Sequence, residues 1–146
     1  MWADALYLAE RNHLLRLAAW GAACVLAGTA LVLLLAMRRS RSPLVHHFAL
    51  QTGAWGAVEL LVALMLWRGI AYRDLAGFTR LDRFLWLRVG LDAGTIAVGL
   101  TLALTGWQLA RRLGLLGAGL GVIVQGLALL VLDAWLIGVL ARLAAG

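Results

Sequence analysis

The feature that most constrains the fold of this chain is a series of four long apolar stretches. They run over about 17–37, 44–67, 87–110 and 113–141. A helix of ~20 apolar residues is long enough to cross the hydrocarbon core of a bilayer. Within lipid every backbone N–H and C=O must find a partner, and a helix satisfies them inside a single segment. The sequence therefore predicts an all-α fold, a bundle of four transmembrane helices.

The composition also indicates lipid, not water, as the surrounding medium. Of the 146 residues, 64% are hydrophobic and 14% are charged, with a mean hydropathy of +0.92. Soluble domains are about half apolar and a quarter charged, so this apolar excess is too large for one small aqueous core. We expect a single membrane-embedded domain over residues 1–146 and a multi-pass membrane location.

Polar connections separate the apolar stretches and predict where the helices begin. Ser42 can cap the second helix, and Pro43 fits its first turn, where a missing N–H costs nothing. The connection over 68–83 alternates apolar and charged residues, which predicts a short amphipathic helix at the membrane interface. Thr79 begins a pattern that resembles a capping box, and it predicts the start of the third helix. Residues 1–16 are amphipathic and predict an interfacial lead-in or an extension of the first helix.

The charge of the chain is basic, with a net charge of +6, and all thirteen basic residues are arginines. They collect between the apolar stretches, where arginines meet lipid phosphates and influence topology. They do not form one stripe, so we expect the lipid bilayer as a partner and no nucleic acid. Because arginines flank both membrane faces, the sequence leaves the orientation open.

Ionisable residues inside the predicted spans are the most informative, because a charge near the bilayer centre costs ~2.5–3.5 kcal/mol on insertion scales. Glu59, Asp92 and Asp133 come from three helices, and all three lie toward the end of the bundle that holds both chain termini. At ~1.5 Å per residue they sit roughly 8–12 Å below the same surface, with Arg88 one turn shallower. We predict that they form one polar cluster, in which the acids outnumber the arginines and one carboxyl keeps its proton.

Further polar residues extend this prediction. The first helix places a group of polar residues at the same depth as the acids. The second and fourth helices carry polar residues that are four or eight positions apart, a spacing that keeps them on one helix face. One interpretation is structural: these residues face the interior of the bundle and join the helices by hydrogen bonds. The other is functional: they line a site for a proton, an ion, a small ligand or a lipid. The first-helix set is Glu10, Asn12, His13 and Arg16, and the spaced residues are His47, Gln51, Trp55 and Glu59, with Gln125 and Asp133.

Glycine pairs indicate close helix packing. Gly90 with Gly94, and Gly117 with Gly121, have the small-xxx-small spacing that lets helices approach each other closely. We expect these pairs to pack within the bundle or between copies of the chain.

The chain has no complete catalytic, nucleotide or metal motif. Ser40 and Ser42 lie in an arginine-rich connection, and Cys24 has no histidine near it in the first span. A nucleophile with an adjacent base is therefore not expected, and the chain is predicted not to be an enzyme. The three histidines are divided between opposite ends of the bundle, so we expect no haem, metal or other cofactor.

Six short motifs occur in order along most of the chain. They are Glu10-Arg11-Asn12-His13, Trp20-Gly21, His47-Phe48 with Gln51 and Trp55, Gly90-Leu91-Asp92-Ala93-Gly94, Gln125-Gly126 and Leu132-Asp133. Together they resemble a family of small bacterial four-helix integral membrane proteins whose function is uncharacterised. Glu59 departs from that family's pattern, in which an amide is expected. The resemblance implies a bacterial inner-membrane location and no established activity.

Two functions follow as hypotheses. The favoured one is a non-enzymatic structural or accessory subunit of a larger membrane complex, or a homo-oligomer. Its basis is the small size, the close-packing glycines and the missing catalytic motif. The alternative is a small transporter or a proton- or ion-handling protein that uses the intramembrane carboxylates.

Overall fold

The fold is all α-helical. A computed structural model describes residues 2–39, 41–109 and 111–145. These ranges contain four helices, α1 (Trp2–Met37), α2 (Pro43–Arg68), α3 (Leu75–Gln108) and α4 (Leu113–Ala145), and each is long and apolar enough to cross a membrane. The predicted fold class, four transmembrane helices, is confirmed. Ser40 and Ala110, which the sequence placed in a loop and at the end of the third span, lie outside the described residues.

The cap of α2 is the one that the sequence predicts. The Ser42 hydroxyl accepts a hydrogen bond from the Val45 N–H at 3.5 Å, and Pro43 is the first helical residue. Pro43 supplies a backbone angle already suited to the helix and removes an N–H that would have had no partner. The connection between α1 and α2 can therefore be short.

The prediction of a separate interfacial helix over 68–83 is wrong. The helix α3 runs without interruption from Leu75, and its cap is Asp74, whose Oδ1 accepts a hydrogen bond from the Gly77 N–H at 2.7 Å. Thr79 does not open the helix, because its hydroxyl donates to the Leu75 carbonyl oxygen from inside the first turns. Since no proline interrupts this stretch, the amphipathic turns extend the transmembrane helix. The same holds at the N-terminus, where α1 begins at Trp2 and the extension alternative is confirmed.

The helices do not pack as a closed square. Helix α1 packs against α2, and α4 packs against α1, α2 and α3. Within the described ranges no Cα atom of α3 approaches one of α2 to within 8 Å. The gap between them is an open groove, here called the α2–α3 groove. It is lined by Gln51 and Trp55 of α2, Gly90, Leu91, Gly94, Thr95 and Val98 of α3, and Val122 of α4.

Glycines make the close helix contacts, but only half of the predicted ones do so. A Cβ on Gly117 would collide with the Leu44 carbonyl oxygen, and one on Gly121 would lie 3.0 Å from Gln51 Cβ. Gly90 and Gly94 have nothing within 4 Å of such a Cβ, so they do not pack within the bundle, and contact between copies of the chain remains the prediction for this pair. Their spacing keeps them on one face of α3, but α3 turns that face to the groove. Close contacts are also made by glycines outside the predicted pairs: Gly21, Gly28 and Gly56 between α1 and α2, Gly99, Gly106, Gly119 and Gly126 between α3 and α4, and Gly114 of α4 against His47.

Two apolar layers surround the level at which the predicted polar residues lie. The layer nearer the chain termini consists of Leu6, Ala9, Leu81, Leu85, Leu136 and Leu140. The second layer consists of Leu14, Leu17, Ala63 and Leu129, of which the α1 and α4 members lie deeper in the bundle and Ala63 lies one turn nearer the chain termini than Glu59. In the order of residues along α1 and α4, His13 and Asp133 fall between the two layers. The apolar layers therefore limit the access of water to the polar residues between them.

Candidate functional site

Five ionisable side chains from all four helices meet inside the bundle. They are His13 of α1, Glu59 of α2, Arg88 and Asp92 of α3, and Asp133 of α4, here called the intramembrane cluster. Each of the three acids and the histidine is 5% exposed or less, and the Arg88 side chain is 11% exposed. The structure thus brings together the three carboxylates that the sequence placed at one level and the arginine that it placed one turn shallower.

Asp133 is the centre of the intramembrane cluster. Arg88 Nε donates a hydrogen bond to Asp133 Oδ2 at 2.6 Å. His13 Nε2 lies 3.1 Å from Asp133 Oδ1, a contact that becomes an ion pair when the imidazole is protonated. Arg88 Nη2 also lies 3.7 Å from Glu59 Oε2, an ion pair that is too long for a hydrogen bond. One carboxylate and one guanidinium therefore connect all four helices.

Asp92 is the third carboxylate of the intramembrane cluster, and with it the acids outnumber the basic side chains. It lies close enough to Asp133, Arg88 and Glu59 to interact with each electrostatically. Asp92 Oδ2 and Glu59 Oε2 are buried and accept no hydrogen bond from the described part of the chain. Three carboxylates thus face one arginine and one histidine. Buried charge without a partner costs several kcal/mol, so the balance favours at least one extra bound proton.

Glu10 does not join the intramembrane cluster, because it pairs with Arg73 instead. Arg73 Nε donates to Glu10 Oε2 at 2.8 Å, and a second guanidinium N–H reaches Glu10 Oε1. This hydrogen bonding raises the pKa of Arg73, which lies in the connection between α2 and α3. The pair ties that connection to α1. Sequence reasoning missed Arg73, although its position at the same end of the bundle as Glu10 was the available signal.

The other two residues of the first-helix set also stay outside the intramembrane cluster. Asn12 and Arg16 are both exposed, and the Arg16 guanidinium carbon lies 3.7 Å from the centre of the Trp135 ring. Although the sequence brings Arg16 to the level of the acids, its guanidinium lies over Trp135 and not in the intramembrane cluster. Asn12 and Arg16 are four residues apart and share the outward face of α1, whereas His13 and Leu17 share the inward face.

Gln125 forms a separate polar contact deeper in the bundle. Its side chain is fully buried, and its Oε1 accepts a hydrogen bond from Trp20 Nε1 at 2.6 Å and a weak one from Cys24 Sγ at 3.8 Å. Gln125 precedes Asp133 by two helical turns, which is roughly 12 Å. The Trp20-Gly21 and Gln125-Gly126 motifs thus meet through Trp20 and Gln125, while Gly126 packs against the backbone of Asp92. Sequence reasoning did not predict that Trp20 and Cys24 belong here.

His47 and Gln51 lie still farther from the acids. His47 precedes Glu59 by three turns, roughly 18 Å along α2. Its ring lies against Gly114 and edge-on to His46, while Gln51 lies against Gly121 and lines the α2–α3 groove. A shared helix face does not bring residues to a shared depth. The structure therefore divides the predicted polar residues of α2 among three places.

A cavity of about 260 Å³ adjoins the intramembrane cluster and is here called the arginine cavity. His13 and Arg88 belong to both. The remaining charged lining comes from Glu10, Arg73 and Arg80, and the apolar lining from Leu14, Leu66, Leu81, Phe84, Leu85 and Leu136. Over the described ranges no group of three or more His, Cys, Asp or Glu side chains is placed to hold a metal ion.

Comparison with known proteins places the chain in a family. The model of a family of unknown function, DUF6992, matches residues 16–134, which is well over half of the 146 residues. The match covers Glu59, Arg88, Asp92 and Asp133, while His13 precedes it. No curated protein and no solved structure matches the chain. In agreement with the resemblance of its ordered motifs to an uncharacterised family, the chain belongs to the family of unknown function DUF6992.

Proposed function

We propose that this chain is a non-enzymatic proton-handling protein of the bacterial inner membrane, in which the intramembrane cluster takes up and releases a proton. The observation that carries the proposal is the convergence of three buried carboxylates on one arginine. Polar residues at such depth are costly in lipid, which makes their concentration at one point a functional signal. Structural linkage of the helices is the competing explanation, since the same contacts also join all four.

The charge balance supports proton exchange. With its three acids ionised, Arg88 protonated and His13 neutral, the intramembrane cluster carries two excess negative charges. Protonation of His13 removes one of them, and protonation of a carboxyl removes another. Each bound proton lowers the net charge that the bundle has to bury. A change in the local field, or in the contact between His13 and Asp133, therefore changes the number of bound protons.

Access to the intramembrane cluster supports exchange from one side. His13 and Arg88 line the arginine cavity, which lies toward the chain termini. On α1 the buried Leu17, and on α4 the buried Leu129, lie one turn from His13 and Asp133 on the side away from the chain termini. This arrangement favours a protonation switch, or one state of a proton-coupled transporter, over a permanently open channel.

Infrared difference spectroscopy of the chain in lipid vesicles tests proton exchange directly. On a step from mildly acidic to mildly alkaline buffer, we expect the carboxylic acid C=O band of the wild type to lose intensity. Asp92→Asn and Glu59→Gln should each reduce that change, because each removes a carboxyl from the intramembrane cluster. Asp82→Asn is the matched control, since Asp82 lies on α3 outside the cluster. A wild-type band that does not respond to pH would refute the proposal and leave structural linkage.

A second candidate, an accessory subunit or a homo-oligomer, is favoured by the uncovered α2–α3 groove. Gly90 and Gly94 offer a flat surface there, beside the exposed Leu91 and Val98. Close approach of another transmembrane helix would gain van der Waals contact along such a surface.

Purification from native membranes in a mild detergent tests this second candidate. We expect a co-purifying membrane chain or a defined oligomer, and we expect Gly94→Leu to dissociate it by obstructing the groove. Ala93→Leu is the control, because Ala93 is exposed on α3 but does not line the groove. A lone monomer in the wild-type preparation would contradict the idea.

A further inference from the structure

We infer that the arginine cavity binds the phosphate headgroup region of one anionic phospholipid of the surrounding bilayer. This inference goes beyond the proposed function, because it depends on the arginines of the cavity and not on proton exchange. It rests on the charge of the lining, on the apolar part of the lining, and on the level of the cavity in the bundle.

The charged lining of the arginine cavity includes hydrogen-bond donors that no carboxylate of the described chain occupies. Of its three arginines, Arg73 is held by Glu10 and Arg88 by Asp133. Arg80 has no carboxylate partner in the described part of the chain. The buried His13 also lines the cavity, and its Nδ1 has no hydrogen-bond partner among the described residues. Arg80 and His13 line the same cavity, and an anionic oxygen ligand suits both of them, because arginine matches phosphate in geometry as well as in charge.

The apolar lining and the volume indicate an amphiphile that enters partway. Four leucines and Phe84 occupy much of the wall, with Leu136 at the α4 side. The volume of about 260 Å³ is below the range of roughly 300–1,000 Å³ that encloses a whole drug-sized ligand. It is sufficient for a phosphate with the adjoining carbons. The acyl chains would then continue into the bilayer along the exposed faces of the helices.

The level of the cavity matches that of lipid phosphates. Arg73 and Arg80 belong to the α2–α3 connection and to the first turns of α3, at one end of the bundle. Aromatic pairs mark the same end, with Trp2 and Phe78 at 5.5 Å and Tyr7 and Tyr72 stacked at 5.0 Å between ring centres. Aromatic residues concentrate where membrane meets water, and basic pockets between helices at that level bind anionic headgroups.

Native mass spectrometry of the full chain in detergent, titrated with phosphatidylglycerol or phosphatidylcholine, tests the inference. We expect the wild type to retain one phosphatidylglycerol in preference to phosphatidylcholine. Arg80→Gln should weaken that binding about fivefold, the effect of one arginine near a headgroup. Arg83→Gln is the matched control, because Arg83 is exposed on the same helix, three residues away, and does not line the cavity.

A second variant distinguishes binding in the cavity from a general effect of positive charge on lipid binding. Leu66→Trp fills the cavity and leaves every arginine in place, so it should also reduce phosphatidylglycerol binding. Equal binding in Arg80→Gln and wild type would overturn the inference, as would an equal loss in Arg83→Gln or an equal affinity for phosphatidylcholine. Binding of free inorganic phosphate or a fatty acid with the same affinity would also overturn it. The infrared pH response should persist in Arg80→Gln, so failure of lipid binding and failure of proton exchange give different results.

Discussion

Replacement of Arg88 by glutamine is expected to lower the free energy of unfolding by about 3–5 kcal/mol, the usual cost of removing one partner from a buried ion pair. Arg88 is the shared cation of Asp133, at 2.6 Å, and Glu59, at 3.7 Å. Without it, three carboxylates would remain buried with His13 as their sole basic neighbour in the intramembrane cluster. The same change should increase the number of protons that the cluster binds at neutral pH.

The measurement is unfolding of the chain in mixed micelles by a denaturing detergent, followed by circular dichroism. Arg83→Gln provides the control on the same helix, and we expect no measurable change because its side chain is exposed. The double variant Arg88→Gln with Asp133→Asn should recover part of the loss, since it removes one of the uncompensated charges. If Arg88→Gln and Arg83→Gln unfold at the same detergent fraction, the ion pairs of Arg88 do not stabilise the bundle.

Replacement of Gly117 by alanine is expected to have the second large effect. The added Cβ would overlap the carbonyl oxygen and neighbouring backbone atoms of Leu44. Backbone atoms of a helix cannot rotate away as a flexible side chain does, so α2 and α4 must move apart. Overpacking of this kind costs about 1–3 kcal/mol, occasionally more. The shift should also reach the intramembrane cluster, because α2 and α4 carry Glu59 and Asp133.

The matched control is Gly94→Ala, in which the new Cβ meets nothing within 4 Å. Alanine is favoured over glycine inside a helix by about 1 kcal/mol in water, so the control should leave the stability unchanged or raise it. Both variants are measured by the same detergent unfolding experiment. Equal stabilities for Gly117→Ala and Gly94→Ala would contradict the helix contact described here.

The level of the three carboxylates was predictable because depth in a straight helix follows from residue count. At a constant rise per residue, Glu59, Asp92 and Asp133 had to lie at similar distances from one membrane face. The inward orientation of the acids was also predictable, because charged groups are costly among acyl chains and therefore turn toward the interior of the bundle. The ion pairs of Arg88 with Glu59 and Asp133, and the position of Asp92 beside them, agree with these two conditions.

Residues near the helix ends were harder to predict, because neither condition applies strongly there. Arg16 has access to the membrane interface, so it can lie over Trp135 without a carboxylate partner. Arg73 lies in a connection whose path depends on how α3 approaches α1. The amphipathic pattern over 68–83 is compatible with either a separate helix or the first turns of α3. The Asp74 cap decides in favour of the first turns of α3, and in the sequence Thr79 has the same features of a helix cap as Asp74.

By itself the sequence determined the number of transmembrane helices, the cap of α2 and the common depth of the acids. These properties depend on local periodicity and on the aversion of lipid to polar groups. Tertiary structure decided which glycines carry contacts, that α2 and α3 remain apart, and that His13 approaches Asp133 while Asn12 and Arg16 face outward. The physical reason is that the rotation of each helix about its axis depends on how its side chains pack against those of the neighbouring helices. That packing depends on two helix surfaces at once, and the periodicity of a single helix does not contain it.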